Sequence, residues 1–397
     1  MNKIPKLRFK EFSGEWEEKR LEEIFEISKT KYNPLKETKE YPCIELESLS
    51  QETGKILKTF NSLEQKSIKN KFLKNEVLFG KLRPYLKKYW YSNFEGVCSS
   101  EIWVLNSKNN INKFIYYFIQ GENFISLANT TSGTKMPRAD WSLMKNEIFS
   151  IPNIQEQEKI ADFLYSVDKK ISITEEKLDL FKEYKKGIMQ KIFNQELRFK
   201  DSNGNNYPEW EEKRLGDLGK FYRGHSYNSN NVIENGLLVL RSNNIQENKI
   251  VYNDLQFVNK PCKKEILLKD KDIIICMANG SKKLVGKTGE YKQNNFYKEI
   301  TIGAFCSIFR TDYKITKFLF QTKKYYDEIS LMLEGTNINN LKNSSLEEII
   351  FNIPTSLEEQ QKIANFLSSI DNKIDNLTSE LENLKEFKKG LLQQMFV

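Results

Sequence analysis

The chain has 397 residues, 39% hydrophobic and 29% charged, which suits two or more packed domains and excludes a disordered chain or a small stapled fold. No uninterrupted apolar stretch approaches the roughly 18 residues of a spanning helix, and Met1-Asn2-Lys3-Ile4-Pro5-Lys6 lacks a signal peptide's apolar core, so a cytoplasmic protein is expected. Lys plus Arg exceed Asp plus Glu by 62 to 54, a net charge of +8 that favours a polyanionic partner and also fits a lysine- and asparagine-rich compositional drift.

Read from the N-terminus, the first block is Leu7-Arg8-Phe9-Lys10 followed by Trp16-Glu17-Glu18-Lys19-Arg20-Leu21. Glu76-Val77-Leu78-Phe79 reads as a strand, and the loop after it, Gly80 to Tyr89, mixes cations, Pro84 and aromatics. Lys113-Phe114-Ile115 reads as helical. Ser132-Gly133-Thr134-Lys135 precedes Ile151-Pro152 and the block Glu156-Gln157-Glu158-Lys159-Ile160-Ala161-Asp162-Phe163-Leu164. From Ile160 a 4,3 spacing visits Leu164, Val167, Ile171, Thr174, Leu178, Phe181, Lys185, Ile188 and Ile192, a coiled-coil seam with two polar steps.

The same series then starts again. Leu197-Arg198-Phe199-Lys200 and Trp210-Glu211-Glu212-Lys213-Arg214-Leu215 repeat the opening residue for residue. Asp272-Ile273-Ile274-Ile275 answers the first strand, Lys317-Phe318-Leu319 the first helix, and Gly335-Thr336-Asn337 the loop before the matched block. Ile353-Pro354 and Glu359-Gln360-Gln361-Lys362-Ile363-Ala364-Asn365-Phe366-Leu367 follow. A second seam visits Ile363, Leu367, Ile370, Ile374, Leu377, Leu381, Leu384, Lys388, Leu391 and Met395, its Lys388 at the step of Lys185. Lys185-Lys186-Gly187 and Lys388-Lys389-Gly390 also match, so the chain is two copies of one unit of about 200 residues.

The expected fold class is mixed α/β: two tandem α/β domains separated by two long antiparallel coiled-coil helices, with pseudo-two-fold symmetry. The divisions are 1–154 (with an N-terminal segment 5–25), 155–196, 197–356 and 357–397. Each helix could simply pack on its own domain, but roughly 38 to 40 residues at 1.5 Å per residue reach about 57 to 60 Å, longer than such a globule covers. Each is therefore expected to protrude and pair with the other. The short link from the first helix into Arg198-Phe199-Lys200 requires the second to run back, which brings Val397 toward the N-terminal segment.

Two unlike heads on a spacer suit duplex DNA, where displacement along the axis selects base pairs and rotational phase. Candidate DNA contacts in the first half are Lys81, Arg83, Tyr85, Lys87, Lys88, Thr134 and Lys135. Those in the second are Arg241, Ser242, Asn243, Asn244, Asn279, Ser281, Lys282, Lys283, Lys287, Thr336 and Asn337. Cations neutralise phosphates, Arg bridges guanine, and Asn suits adenine. Gly280 to Lys287 nearly spells a P-loop, but five residues separate Gly280 and Gly286 where the motif has four, and Gly289-Glu290-Tyr291 promises no helix. Close approach of Gly280 to a DNA backbone is the better reading.

Catalysis by this chain is not expected. Cys43, Cys98, Cys262, Cys276 and Cys306 form no C-x-x-C pair, and His225 is the only histidine, which removes most zinc sites and nucleophile–histidine arrangements. No catalytic, metal or cofactor-binding residue is assigned.

The duplicated Leu-Arg-Phe, Trp-Glu-Glu-Lys and Glu-Gln-x-Lys-Ile-Ala blocks, Phe79-Gly80-Lys81-Leu82-Arg83-Pro84-Tyr85-Leu86 and the duplicated helices resemble the specificity subunit of type I DNA restriction-modification systems over essentially the whole chain. The resemblance implies two target recognition domains reading a bipartite, asymmetric double-stranded target. It also implies two modification subunits that methylate adenine with S-adenosylmethionine, and two restriction subunits that translocate and cleave DNA with ATP and Mg. These cofactors are expected in the partners and none in this chain. No Asn-Pro-Pro-aromatic motif occurs, since Asn33-Pro34-Leu35 has a single proline. Docking is expected on the matched blocks at Gln157, Lys159, Phe163, Lys185 and Gly187 and at Gln360, Lys362, Phe366, Lys388 and Gly390. The competing readings are a coiled-coil adaptor that binds only proteins and a self-sufficient DNA methyltransferase or nuclease.

Overall fold

Each Trp-Glu-Glu-Lys-Arg-Leu block forms a short strand, Glu17–Arg20 or Glu211–Arg214, that runs directly into one helical turn. Each strand pairs antiparallel with the strand that ends at the Ile-Pro step, in the registers Glu17↔Ile151 and Glu211↔Ile353. Sequence blocks far apart in each half are thus neighbours. The computed structural model describes residues 3–130, 136–294, 296–334 and 339–397. The chain divides into two compact units, Met1–Lys177 with Leu377–Val397, and Leu178–Asn376.

In the first unit a four-stranded antiparallel sheet has the order Phe25–Ile27, Ile102–Ser107, Val77–Gly80, Tyr89–Tyr91. A five-stranded sheet lies beside it in the order Lys31–Tyr32, Lys69–Phe72, Gly96–Cys98, Pro42–Ile44, Phe60–Asn61, with Pro42–Ile44 and Gly96–Cys98 parallel. Helix Asn112–Phe118 supplies five consecutive buried residues to the main core, which also contains Phe79, Phe124 and Phe149. The strand read as Glu76–Phe79 begins and ends one residue later, because the Glu76 carboxylate turns back to accept the Leu73 N–H at 2.7 Å.

The second unit repeats this plan with additions. Lys220–Arg223, Cys306–Arg310, Ile273–Cys276 and Thr288–Glu290 match the four-stranded sheet, which Asn248–Ile250 and Ile245–Gln246 extend to six strands. A second sheet joins Val232–Ile233, Gln256–Val258, Leu237–Leu240 and Ile300–Ile302. Here too the strand starts after the acid: buried Asp272 accepts from Arg310 at 2.8 and 2.6 Å and from the Lys269 N–H.

The two seams form continuous helices, Ile154–Phe193 and Leu357–Met395. In the first unit the end of the second helix (Leu391, Met395) shares a core with the start of the first (Ile160, Ala161, Leu164). Farther along, Lys388 meets Asp168 at 2.8 Å and Lys385 meets Glu175 at 2.8 Å, so the segments run antiparallel. The Leu7 N–H donates to Gln394 O at 2.9 Å, joining the C-terminal end to the N-terminal segment. In the second unit Met189 and Ile192 pack with Ile363, Ala364, Leu367 and Ile370, and Lys185 meets Asp371 at 2.6 Å, again antiparallel.

The helices are not bare stalks. Ile160, Ala161 and Leu164 also pack on Phe114, Tyr117 and Phe149, and Ile363, Ala364 and Leu367 on Trp210, Ile315 and Phe318. Helix-on-helix and helix-on-domain packing coexist because a stripe wider than a strict a/d seam serves both neighbours.

Candidate nucleic-acid interface

In the first unit the loop after Val77–Gly80 is held from two sides. Leu82 bridges to Arg138, the Arg83 N–H donates to Pro137 O at 2.8 Å, and the Ala139 N–H donates to Lys81 O at 2.9 Å. On the other side the Glu52 N–H donates to Lys87 O at 3.0 Å and the Lys88 ammonium to Leu46 O at 2.5 Å. Gly80 suits this closeness, since an added Cβ would lie 3.0 Å from the Leu46 side chain and 3.3 Å from Lys88, which would have to give by a few tenths of an ångström. Segments 46–52, 80–89 and 136–139 therefore converge.

At their apex sits the short turn Pro84–Leu86, flanked by Arg83 at φ +52° and Lys87 at φ +48°. Both are left-handed non-glycine residues, each costing about 1–2 kcal/mol, so packing around the turn fixes a shape the local chain disfavours. Arg83 and Tyr85 are exposed and Lys81 is half-buried. Lys87 pairs with Glu52 at 3.4 Å. Lys88 serves the fold, and burial pulls its ammonium pKa below the usual lysine range.

The second unit brings the equivalent segments together. Ala278 bridges to Asn340, the Asn279 side chain donates to Ser242 Oγ at 3.2 Å, and the Lys287 ammonium donates to Ile245 O at 2.9 Å. Ser281, Lys282 and Lys283 are exposed, and an added Cβ at Gly280 would meet nothing within 4 Å. Arg241 is half-buried and paired with Asp254 at 2.8 Å, and the Asn243 side chain donates to the same carboxylate at 2.7 Å. Asn244 is instead structural: it is fully buried and its amide bonds Val251 O, Asn253 O and the Arg241 N–H. Thr134, Lys135, Thr336 and Asn337 lie outside the described residues.

Lys287 leads into strand Thr288–Glu290 and not into a helix, so its loop lacks the helix N-terminus that a P-loop uses to hold phosphate. His225 is buried and stacked on Tyr227, with its pKa lowered by burial and by Lys260. Cys276 and Cys306 face each other in register on adjacent strands, and burial pushes the Cys306 thiol up to about 12. Such a thiol is not a nucleophile at neutral pH. Among the described residues no group of three or more His, Cys, Asp or Glu could hold a metal. Among the described residues no helix is long and apolar enough to cross a membrane.

The residues expected to dock partners fall into three environments. Gln157 and Gln360 are buried, each donating its amide to the carbonyl of the Ile-Pro proline, Pro152 at 2.9 Å or Pro354 at 2.8 Å, which anchors a long helix to its domain. Lys185 and Lys388 lie in the seams on Asp371 and Asp168. Lys159, Phe163, Lys362 and Phe366 cluster with the Leu-Arg-Phe segments: Phe163 stacks edge-on with Phe9 and Phe366 with Phe199, Lys159 pairs with Glu11, and Lys362 donates to Lys200 O. Gly187 and Gly390 lie in the last two turns of their helices, where an added Cβ would meet nothing closer than 3.9 Å among the described residues.

Sequence reasoning passed over four residues of the converging loops: Glu101, Arg138, Phe305 and Asn340. The Arg138 Nε–H donates to Glu101 at 3.0 Å, Phe305 is 70% exposed, and Asn340 is exposed. Arg138 and Asn340 lie just beyond loops already singled out, but only strand register brings them to the site.

A family model described as the type I restriction modification DNA specificity domain matches residues 13–182 and 207–386. The chain is 27% identical over 315 residues to the type I restriction enzyme MjaVIII specificity subunit of Methanocaldococcus jannaschii, covering 75% of this chain and 73% of that protein. It is 34% identical over 196 residues to the EcoKI specificity subunit of Escherichia coli K12, covering 46% and 41%. Its fold is similar to the crystal structure of the type I restriction-modification S subunit from M. genitalium, with a TM-score of 0.63 over 99% of each chain at 17% identity. Two converging loop sets on one duplicated scaffold, and a family model matched once per copy, make this chain a member of the type I restriction-modification DNA specificity family.

Proposed function

We propose that the chain is the non-catalytic DNA-reading subunit of a cytoplasmic type I restriction-modification complex. Each α/β unit reads one half of a bipartite asymmetric double-stranded target, and the long helices act as spacer and docking surface. The observation that carries the reading is that the same three loops converge in both units with different side chains. Arg83, Tyr85 and Lys81 are presented by one, and Asn279, Ser281, Lys282 and Lys283 by the other. A common scaffold with unlike tips is what two different half-sites require.

In this reading two modification subunits bring S-adenosylmethionine and the adenine methylation chemistry, and two restriction subunits bring ATP, Mg and DNA cleavage. The test is binding of the chain, assembled with its modification subunits, to the sequence methylated in its host. Affinity should fall about a thousandfold or more between roughly 50 and 200 mM salt if several phosphates are neutralised, and unrelated DNA should bind far more weakly. Salt-insensitive or sequence-indifferent binding would favour the adaptor reading.

Docking on the repeated helix faces is supported by Gly187 and Gly390. Glycine in a helix interior costs about 1 kcal/mol relative to alanine, and no group among the described residues crowds either position. Gly187→Ala with Gly390→Ala should therefore raise the unfolding free energy of the isolated chain by about 1–2 kcal/mol. If a modification subunit approaches the helices there, the same variant should bind it at least tenfold more weakly, measurable by titration calorimetry.

A further inference from the structure

Resting on that reading, we infer that one structural address, present in both units and filled differently in each, selects a base pair in each half-site: Glu101 with Arg138 reads G·C, and Phe305 with Asn340 reads A·T.

The address is defined by backbone pairing. The Lys81 N–H donates to Glu101 O at 2.9 Å, and the Met277 N–H donates to Phe305 O at 2.8 Å. Leu82 bridges to Arg138, and Ala278 bridges to Asn340. The strands that lead in are also equivalent, with Ile102 opposite Gly80 and Cys306 opposite Cys276. Glu101 and Phe305 therefore occupy one place, Arg138 and Asn340 the other, each beside the loop that follows the matching strand. All four lie within or at the edge of the converging segments.

The contents have changed together. In the first unit an exposed arginine is steadied by a carboxylate that takes its Nε–H, leaving the two terminal amino groups as the donors able to meet guanine O6 and N7. In the second unit both members of that ion pair are gone. An exposed amide stands where the arginine was, offering the donor and acceptor that match adenine N7 and N6. Beside it a phenylalanine ring stands 70% exposed.

That ring is held outward by its backbone. Phe305 O accepts from both Met277 and Ala278, at 2.8 and 3.2 Å, and the Cys306 N–H closes the turn onto Gly303 O at 2.9 Å. Asparagine and an apolar ring side by side complement the two bases of one A·T pair, the amide on adenine and the ring on the thymine methyl group.

The experiment uses the chain assembled with its modification subunits and selection from randomised duplex DNA. Wild-type assembly should yield a two-part motif. Arg138→Ala should relax one G·C position in one half-site by about tenfold or more, and Asn340→Ala should relax one A·T position in the other. Replacing thymine by uracil at that A·T pair should weaken wild-type binding severalfold and leave Phe305→Ala unaffected. The exchange Glu101→Phe with Arg138→Asn should convert the first half-site's G·C preference to A·T.

A wild-type motif left unchanged by every variant, a uniform loss of affinity on all sequences, or a loss of modification-subunit binding with the motif intact would each overturn this inference alone. The absence of any motif in the wild-type assembly would overturn the DNA-reading function beneath it. All four side chains sit at the surface or on its edge, and circular dichroism of each variant checks that the fold is kept.

Discussion

Arg8→Ala is expected to destabilise the first unit by about 3–5 kcal/mol, because it strands a buried carboxylate. Glu156 is 1% exposed, and Arg8 grips both its oxygens at 2.8 Å while also donating to the carbonyls of Gly14 and Ser13. The hydrogen bonds to Glu156 hold the guanidinium pKa above its usual value, a sign of the same tight pairing. The second unit repeats the clamp with Arg198 on fully buried Glu359, at 3.2 and 3.0 Å.

The two copies differ in one donor. Trp210 Nε1 donates to Glu359 at 3.2 Å, whereas Trp16 Nε1 is buried with no hydrogen-bond partner among the described residues. Arg198→Ala should therefore cost about 1 kcal/mol less than Arg8→Ala, since Glu359 keeps a partner. Hydrogen exchange read separately on residues of the two units measures both losses. Equal losses would contradict the role given to Trp210. The double replacement Arg8→Met with Glu156→Leu should recover most of the stability, as replacing a buried ion pair whole generally does.

Lys388→Glu is the second large effect, expected to cost about 3 kcal/mol or more. The Lys388 side chain is 12% exposed and its ammonium is 2.8 Å from Asp168 and lies over the Tyr117 ring, while the Tyr117 hydroxyl donates to the same carboxylate at 2.9 Å. A glutamate there would set two carboxylates together in a half-buried seam. Adding Asp168→Lys should restore opposite charges and recover more than half of the loss in a double-mutant cycle. Recovery stays incomplete because the Tyr117 hydroxyl loses its acceptor.

Lys185 and Asp371 form the matching pair in the second unit, where Lys185 also donates to Gln321 at 2.6 Å. Each seam thus carries one lysine that finds its aspartate only in a single register of the antiparallel partner. A buried polar residue in a largely apolar seam acts in this way in coiled coils, costing stability and excluding slipped alignments.

Periodicity and duplication were legible in the sequence because they are local or self-referential. The 4,3 spacing from Ile160 and from Ile363 marks faces whose residues are buried or half-buried in the folded chain, with Thr174 buried at the polar step. The strands before the converging loops were legible to within one residue, the offset arising from Glu76 and Asp272, whose carboxylates accept backbone N–H groups and so precede their strands. The antiparallel run of the helices followed from the shortness of the link between the halves.

The division of labour among similar side chains was decided by the tertiary structure. Lys88 and Lys283 look alike in a basic loop, yet one lies within reach of a backbone carbonyl and the other is exposed. Gln157 and Gln360 look like surface residues of a repeated helix, yet they are turned inward onto Pro152 and Pro354. Leu-Arg-Phe and Glu-Gln repeat as separate blocks, and only folding joins Arg8 to Glu156 across 148 residues. Composition and spacing encode what a segment can do with its neighbours along the chain. Which polar group is satisfied inside and which remains free for a ligand depends on the register of strands distant in sequence, because a hydrogen bond is made or lost over about an ångström.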